Sequence, residues 1–112
     1  MNGGQAVVKF LGIMRLNPGF DPDETWELWK TKYTASGTRL LLPELKKFTI
    51  NRIVGTVGDT QTDIFGYAEH VYEDRESLLR AFGRRFQKSD FKPPFDIQRM
   101  IAEPWEVPLE RK

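Results

Sequence analysis

The chain contains no cysteine, a single histidine and almost no net charge, and each shortage removes a class of function. Without cysteine there is no disulfide, no thiolate metal site and no cysteine nucleophile. One histidine, His70, does not make a histidine-based metal site. The 17 basic residues are offset by 16 acidic ones, so no field favours nucleic acid. No apolar run approaches the ~20 residues of a membrane helix, and Met1 to Gln5 lacks a charged-then-apolar signal pattern. Gly55 and Gly58 fall in an expected hairpin and not ahead of a helix, so no phosphate loop is written here. No serine sits in a nucleophile elbow. These absences point to a soluble cytoplasmic protein with no cofactor, no metal, no membrane and no nucleic-acid partner.

What is present is aromatic. Eight Phe, three Trp and three Tyr in 112 residues are too many large hydrophobes to leave unburied. A chain of this length suits one domain and buries about 65% of its unfolded surface. That suffices for one layer of helices on one sheet, with little left for a roomy internal pocket.

Periodicity gives the order of elements. Gln5 to Leu16 reads as a strand, with Val8, Phe10, Gly12 and Met14 on one face. Its other face, Val7, Lys9, Leu11, Ile13 and Arg15, is still half apolar and asks for cover of its own. Asn17-Pro18-Gly19 is a turn. Asp21 then caps a helix, with Pro22 at its first position and Glu24 placed for a capping box. Trp26, Trp29 and Tyr33 share a face of that helix, which is expected to loosen or end over Thr34 to Gly37. A further short helical stretch over Thr38 to Leu42 is expected to stop at Pro43.

Lys46 to Val54 and Ile64 to Tyr72 read as strands joined by a polar hairpin loop. Asp74 caps a second long helix with an apolar stripe of Leu78, Leu79, Phe82 and Phe86. A loop over Asp90 to Pro94, a strand over Ile97 to Glu103 and an extended tail complete the chain. The order β-α-β-β-α-β predicts an α+β, ferredoxin-like fold, a four-stranded antiparallel sheet with both helices on one face. The half-apolar outer face predicts a homodimer, sheet against sheet.

Several stretches carry a family resemblance. The first is the polar turn before Asp21-Pro22-Asp23-Glu24, followed by Trp26-Glu27-Leu28-Trp29-Lys30-Thr31-Lys32-Tyr33-Thr34. Next come Leu41-Leu42-Pro43-Glu44-Leu45-Lys46-Lys47-Phe48-Thr49-Ile50-Asn51-Arg52 and Tyr67-Ala68-Glu69-His70. On these residues the chain resembles the EthD-type dimeric α+β barrel proteins. It is similar to the small fungal polyketide-tailoring members that decarboxylate atrochrysone carboxylic acid and related products. The resemblance implies one EthD-like domain over residues 1–112, a homodimer, and a cofactor-free decarboxylase acting on an aromatic polyketide carboxylic acid. Such family members often carry a histidine at the end of the first helix. Tyr33-Thr34 stands there in this chain, so either Tyr33 has taken over that role or the role is lost.

The candidate chemistry centres on His70 and Tyr33. An imidazole near its ordinary pKa of ~6.5 suits general acid/base work; the plainer alternative is a half-buried histidine bonded to backbone. The Tyr33 hydroxyl could donate a hydrogen bond to a substrate oxygen, or merely cap a core aromatic. Trp26, Trp29, Phe82 and Phe86 could wall an aromatic pocket, although core packing needs the same spacing. Arg52 and Lys32 are candidates to hold a carboxylate. Glu69 and Asp63 are possible partners of His70, with Glu69 expected on the opposite strand face. Arg84-Arg85 and Lys46-Lys47 read as solvated charge. A cyclase or dehydratase on the same scaffold, or a non-catalytic small-molecule-binding accessory protein, stands as the alternative.

Overall fold

The computed structural model describes residues 7–88 and 93–110, with Ser36, Gln87 and Lys88 described by backbone alone. The start expected for the first strand at Gln5, the first part of the loop expected from Asp90, and the last two tail residues lie outside the described residues.

Alternating apolar residues build the sheet. Strand β1 (Val8–Leu16) is central and pairs antiparallel with both β3 (Gly66–Tyr72) and β4 (Phe95–Ala102). Strand β2 (Leu45–Arg52) pairs antiparallel with β3 on the outside, which gives the order β2-β3-β1-β4. This is the expected ferredoxin-like α+β sheet. β3 starts two residues later than expected, at Gly66, where a side chain would strike the Asn51 carbonyl and the Trp29 indole. β4 begins at Phe95, earlier than expected, because Phe95 pairs with Leu16 at the end of β1. Val8, Phe10, Gly12 and Met14 of β1, and Gly66, Ala68, His70 and Tyr72 of β3, are buried beneath the helices. The opposite parity, including Leu11, Ile13, Tyr67 and Val71, is only half-buried on the outer face.

The first helical layer is one continuous run with a defect in it. Helix α1 (Pro22–Leu28) starts as expected: the Asp21 carboxylate accepts from the Glu24 N–H at 2.8 Å, with Pro22 in the first turn. Trp29–Tyr33 then widens into a π-helical turn, and α2 (Thr34–Leu41) follows without a break. The helix therefore does not loosen at Thr34 to Gly37. The Thr34 and Thr38 hydroxyls donate back to the carbonyls of Lys30 and Thr34 at 3.1 and 2.6 Å, which satisfies both hydroxyls within the helix. Gly37 serves clearance, since a Cβ there would sit 3.3 Å from the Arg85 guanidinium.

Helix α3 (Arg75–Lys88) is capped by Asp74, whose carboxylate accepts from the Ser77 N–H at 2.8 Å. Its buried stripe is narrower than expected. Leu78, Ala81 and Phe82 enter the core, while Leu79 and Phe86 are 52% and 59% exposed. Arg85, four residues after Ala81, occupies the next position of the inner face. Arg84, one residue earlier, points to the side and forks onto Glu44, while also donating to the carbonyls of Leu40 and Leu42. This clamp ties α3 to the end of α2. Arg84 holds the Glu44 carboxyl down at about 2, against an ordinary 4.5.

Among the described residues, no helix is long and apolar enough to cross a membrane, and no group of three acidic or histidine side chains is placed to hold a metal ion.

Candidate functional site

Cross-strand register explains where His70 sits. It lies between Phe10 on β1 and Phe48 on β2, and both rings press on it, with centroids 4.7 and 4.3 Å away. Phe82 of α3 stacks over the same ring at 5.7 Å and 15°. Three aromatic neighbours leave the histidine 2% exposed. Its Nδ1 is 3.0 Å from the hydroxyl of Tyr72, two residues along the same strand face. Tyr72 is fully buried, and among the described residues its hydroxyl has only this partner. A hydroxyl proton in that place must have an acceptor, so Tyr72 donates to Nδ1 and the imidazole proton resides on Nε2.

No buried side-chain nitrogen or oxygen among the described residues lacks a partner. Nε2 has no hydrogen-bond partner among the described residues, and His70 lines a cavity. That cavity, about 130 Å³, lies between the sheet and the helices, with His70, Phe10, Phe48 and Ala68 on the sheet side. Trp29 and Tyr33, the two ends of the π-helical turn, form part of the helix side. Widening the helix there sets the two aromatics apart along one wall, and such π-turns often mark functional sites. A dry apolar cavity of about 150 Å³ takes a benzene ring, so this one matches a single aromatic ring, with its mouth open to the rest of a larger molecule.

Burial governs the electrostatics. Loss of hydration, reinforced by the positive Arg85, holds the His70 imidazole down at about 3. The imidazole is therefore neutral at neutral pH, and the ordinary value near ~6.5 on which its acid/base reading rested does not apply. Burial likewise pushes the Tyr72 hydroxyl up, so it remains a donor. The dyad is a neutral hydrogen-bonded pair, ending in an Nε2–H on a ring that lines the cavity.

The other expected site residues divide into those at the cavity and those away from it. Trp29, Tyr33 and Phe86 line it, with Phe86 at the mouth. Phe82 lies behind His70 and supports it. Trp26 meets the edge of Trp29 at 5.5 Å and carries Lys30 on its own face, outside the cavity lining. Lys32 is exposed and also outside it. Arg52 pairs with Asp23 of α1 at 2.5 Å, which occupies it structurally. Glu69 faces the outer side and pairs with Lys9 at 3.6 Å, and Asp63 pairs with Arg15 at 3.0 Å, so neither serves His70. Among the described residues, the cations that reach the cavity are instead Arg85 and Arg99. Reading Arg84-Arg85 as a solvated pair missed that only Arg85 continues the inner stripe of α3. Tyr72 was also missed, although its i+2 spacing from His70 put both on one strand face.

No protein-family model and no curated protein matches this chain. Solved structures do match it. An EthD family protein from Bacillus halodurans C-125 superposes with a TM-score of 0.64 at 22% identity, covering 88% of this chain and 99% of that one. The EthD-type fold is established. SnoaB, a cofactor-independent oxygenase from Streptomyces nogalater, superposes at TM-score 0.62 and 14% identity, over 94% of this chain and 99% of its own. A hydroxynitrile lyase from Passiflora edulis gives 0.61 and 14%, over 92% and 97%. These likenesses establish an EthD- and SnoaB-type ferredoxin-like α+β architecture for the chain.

Proposed function

We propose that this protein is a cofactor-free enzyme of small-molecule tailoring that decarboxylates an aromatic or pre-aromatic polyketide acid. The observation that carries the reading is the neutral His70–Tyr72 dyad, ending in an Nε2–H at a cavity sized for one aromatic ring. The scaffold likeness to SnoaB supports chemistry without a cofactor, and the resemblance read from the sequence to EthD-type decarboxylases supports loss of carbon dioxide.

A β-keto acid carries its own electron sink. The bond from the α-carbon to the carboxylate breaks, and its electron pair moves into the keto group. Carbon dioxide leaves, and an enolate remains. His70 Nε2–H donates to the keto oxygen and strengthens that bond as charge builds there; a neutral imidazole can serve as such an electrophile. The apolar floor of Phe10, Phe48 and Ala68 seats the ring and keeps water from the enolate. The Tyr33 hydroxyl returns the proton to carbon and regains one from water. The structure thus suggests exchanged duties relative to the sequence reading, with His70 as oxyanion donor and Tyr33 as proton donor. The protein acts as a homodimer through the outer sheet face, where Leu11, Ile13, Tyr67 and Val71 remain half-exposed.

The test is mass analysis of the product from a β-keto aromatic acid, scored as rate above the uncatalysed loss. Enhanced loss of carbon dioxide supports the reading. Loss of water, or ring closure without loss of mass, would move the protein to a dehydratase or cyclase with the same dyad.

A further inference from the structure

We propose that Arg85 of α3 and Arg99 of β4 form an anion-recognising pair at the mouth of the cavity, which selects aromatic substrates carrying a carboxylate beside a keto or hydroxyl oxygen and seats their ring toward His70. The proposal rests on the catalytic reading only for the identity of the substrate; the anion site stands on geometry of its own.

Both guanidiniums line the cavity, and among the described residues no Asp or Glu does so. The two arginines come from different elements yet lie close enough for Arg99 to oppose the charge of Arg85. Neither makes an ion pair among the described residues, whereas Arg84 and Arg80 share Glu44, Arg52 holds Asp23 and Arg15 holds Asp63. Each guanidinium lies over a phenyl ring of α3: Arg85 over Phe82 at 5.9 Å and Arg99 over Phe86 at 5.4 Å. Cation–π contact fixes the planes while leaving the donors unspent. Gly37 leaves the clearance that lets Arg85 reach inward. Arg85 is half-buried and Arg99 more open, so one cation stands inside the mouth and one at its rim. A half-buried cation beside a second cation has a cost that a bound anion removes.

The chemistry of the ligand follows. Arginine forks favour planar oxyanions. A β-keto or ortho-hydroxy acid presents its carboxylate and neighbouring oxygen in one plane, matching two forks side by side. In decarboxylation the charge moves from the carboxylate at the arginines to the neighbouring keto oxygen, which lies between that pair and His70. The arginines therefore bind ground state and transition state alike, and their loss raises KM more than it lowers kcat.

The experiment is calorimetric titration of the full chain with salicylate and with salicylamide, its neutral isostere, while the His70 imidazole is followed by NMR. The structure predicts that salicylate binds at least about tenfold tighter, in the range of about ten- to a hundredfold expected for charge-assisted bonds. It also predicts that salicylate shifts the imidazole signals. The preference should fall away in Arg99→Met, an exposed position whose substitution leaves the fold intact, and in Arg85→Met where that variant folds. Equal affinity for acid and amide, a preference that survives Arg99→Met, no saturable salicylate binding, or binding that leaves His70 unmoved would each overturn the proposal. Salicylate selectivity without turnover of any β-keto acid would sustain the anion site and sink the decarboxylase reading.

Discussion

His70 is the only histidine in the chain, so its protonation can be followed without assignment. With the imidazole held down at about 3, only about 1% of it should carry a proton at pH 5, where an exposed histidine would be roughly 97% protonated. Because the folded value is depressed, the unfolded chain binds the extra proton as pH falls. The stabilising contribution of the neutral histidine is complete above about pH 6.5 and is lost progressively toward about pH 3. One proton gives a slope of about 1.4 kcal/mol per pH unit, so lowering pH from about 6.5 to about 5 should remove roughly 2 kcal/mol. That is a large share of a small domain's ~5–15 kcal/mol. Glu44, held at about 2, does not titrate in this window. Urea unfolding at neutral and mildly acidic pH, in wild type and His70→Leu, reads the effect. His70→Leu should start lower by about 1–3 kcal/mol, because the Tyr72 hydroxyl loses its acceptor, and should show little slope over the window. The double variant with Tyr72→Phe should recover part of that baseline. An imidazole that titrates near ~6.5, or a wild-type stability that is flat over the window, would refute the buried neutral dyad.

Gly66→Ala should cost about 1–3 kcal/mol or more, since the new methyl meets the Asn51 carbonyl and lies 2.9 Å from Trp29 Cζ3; thermal unfolding measures it. Glu44→Gln should cost about 1–2 kcal/mol at neutral pH by weakening the clamp on Arg84. Its carboxyl is held below the usual range, so the difference from wild type should shrink as pH falls from about 4.5 toward about 2. Ile13→Arg, on the half-buried outer face of β1, should shift a dimer to monomer in light scattering while leaving the helix-side core intact; an unchanged mass would count against the sheet-to-sheet dimer.

The strands were legible because Val8, Phe10 and Met14 alternate with half-polar residues, and β1 keeps that parity in the fold. The caps at Asp21 and Asp74 were legible because carboxylates there accept N–H groups three residues on. The π-helical turn was not, since no residue pattern separates Trp29–Tyr33 from an ordinary helical turn. His70 stood out by being alone, but its state depended on three rings brought from β1, β2 and α3, which no local window contains. Arg52 and Lys32 were chosen for charge type, whereas charge reaches the cavity from Arg85 and Arg99. A strand from the far end of the chain supplies the second of these, and its neighbour in space could not be read from spacing.

The central claim is that neutral His70 acts as a hydrogen-bond donor to developing oxyanion charge. The most direct measurement compares turnover of a β-keto aromatic acid by wild type, His70→Gln and His70→Ala, with folding confirmed for each. The account predicts carbon dioxide release above the uncatalysed rate in wild type, a fall of about 10²–10³ in kcat for His70→Ala, and partial rescue by the glutamine amide, which can donate but cannot carry a proton. Full activity in His70→Ala, or a glutamine variant as inactive as alanine, would contradict it.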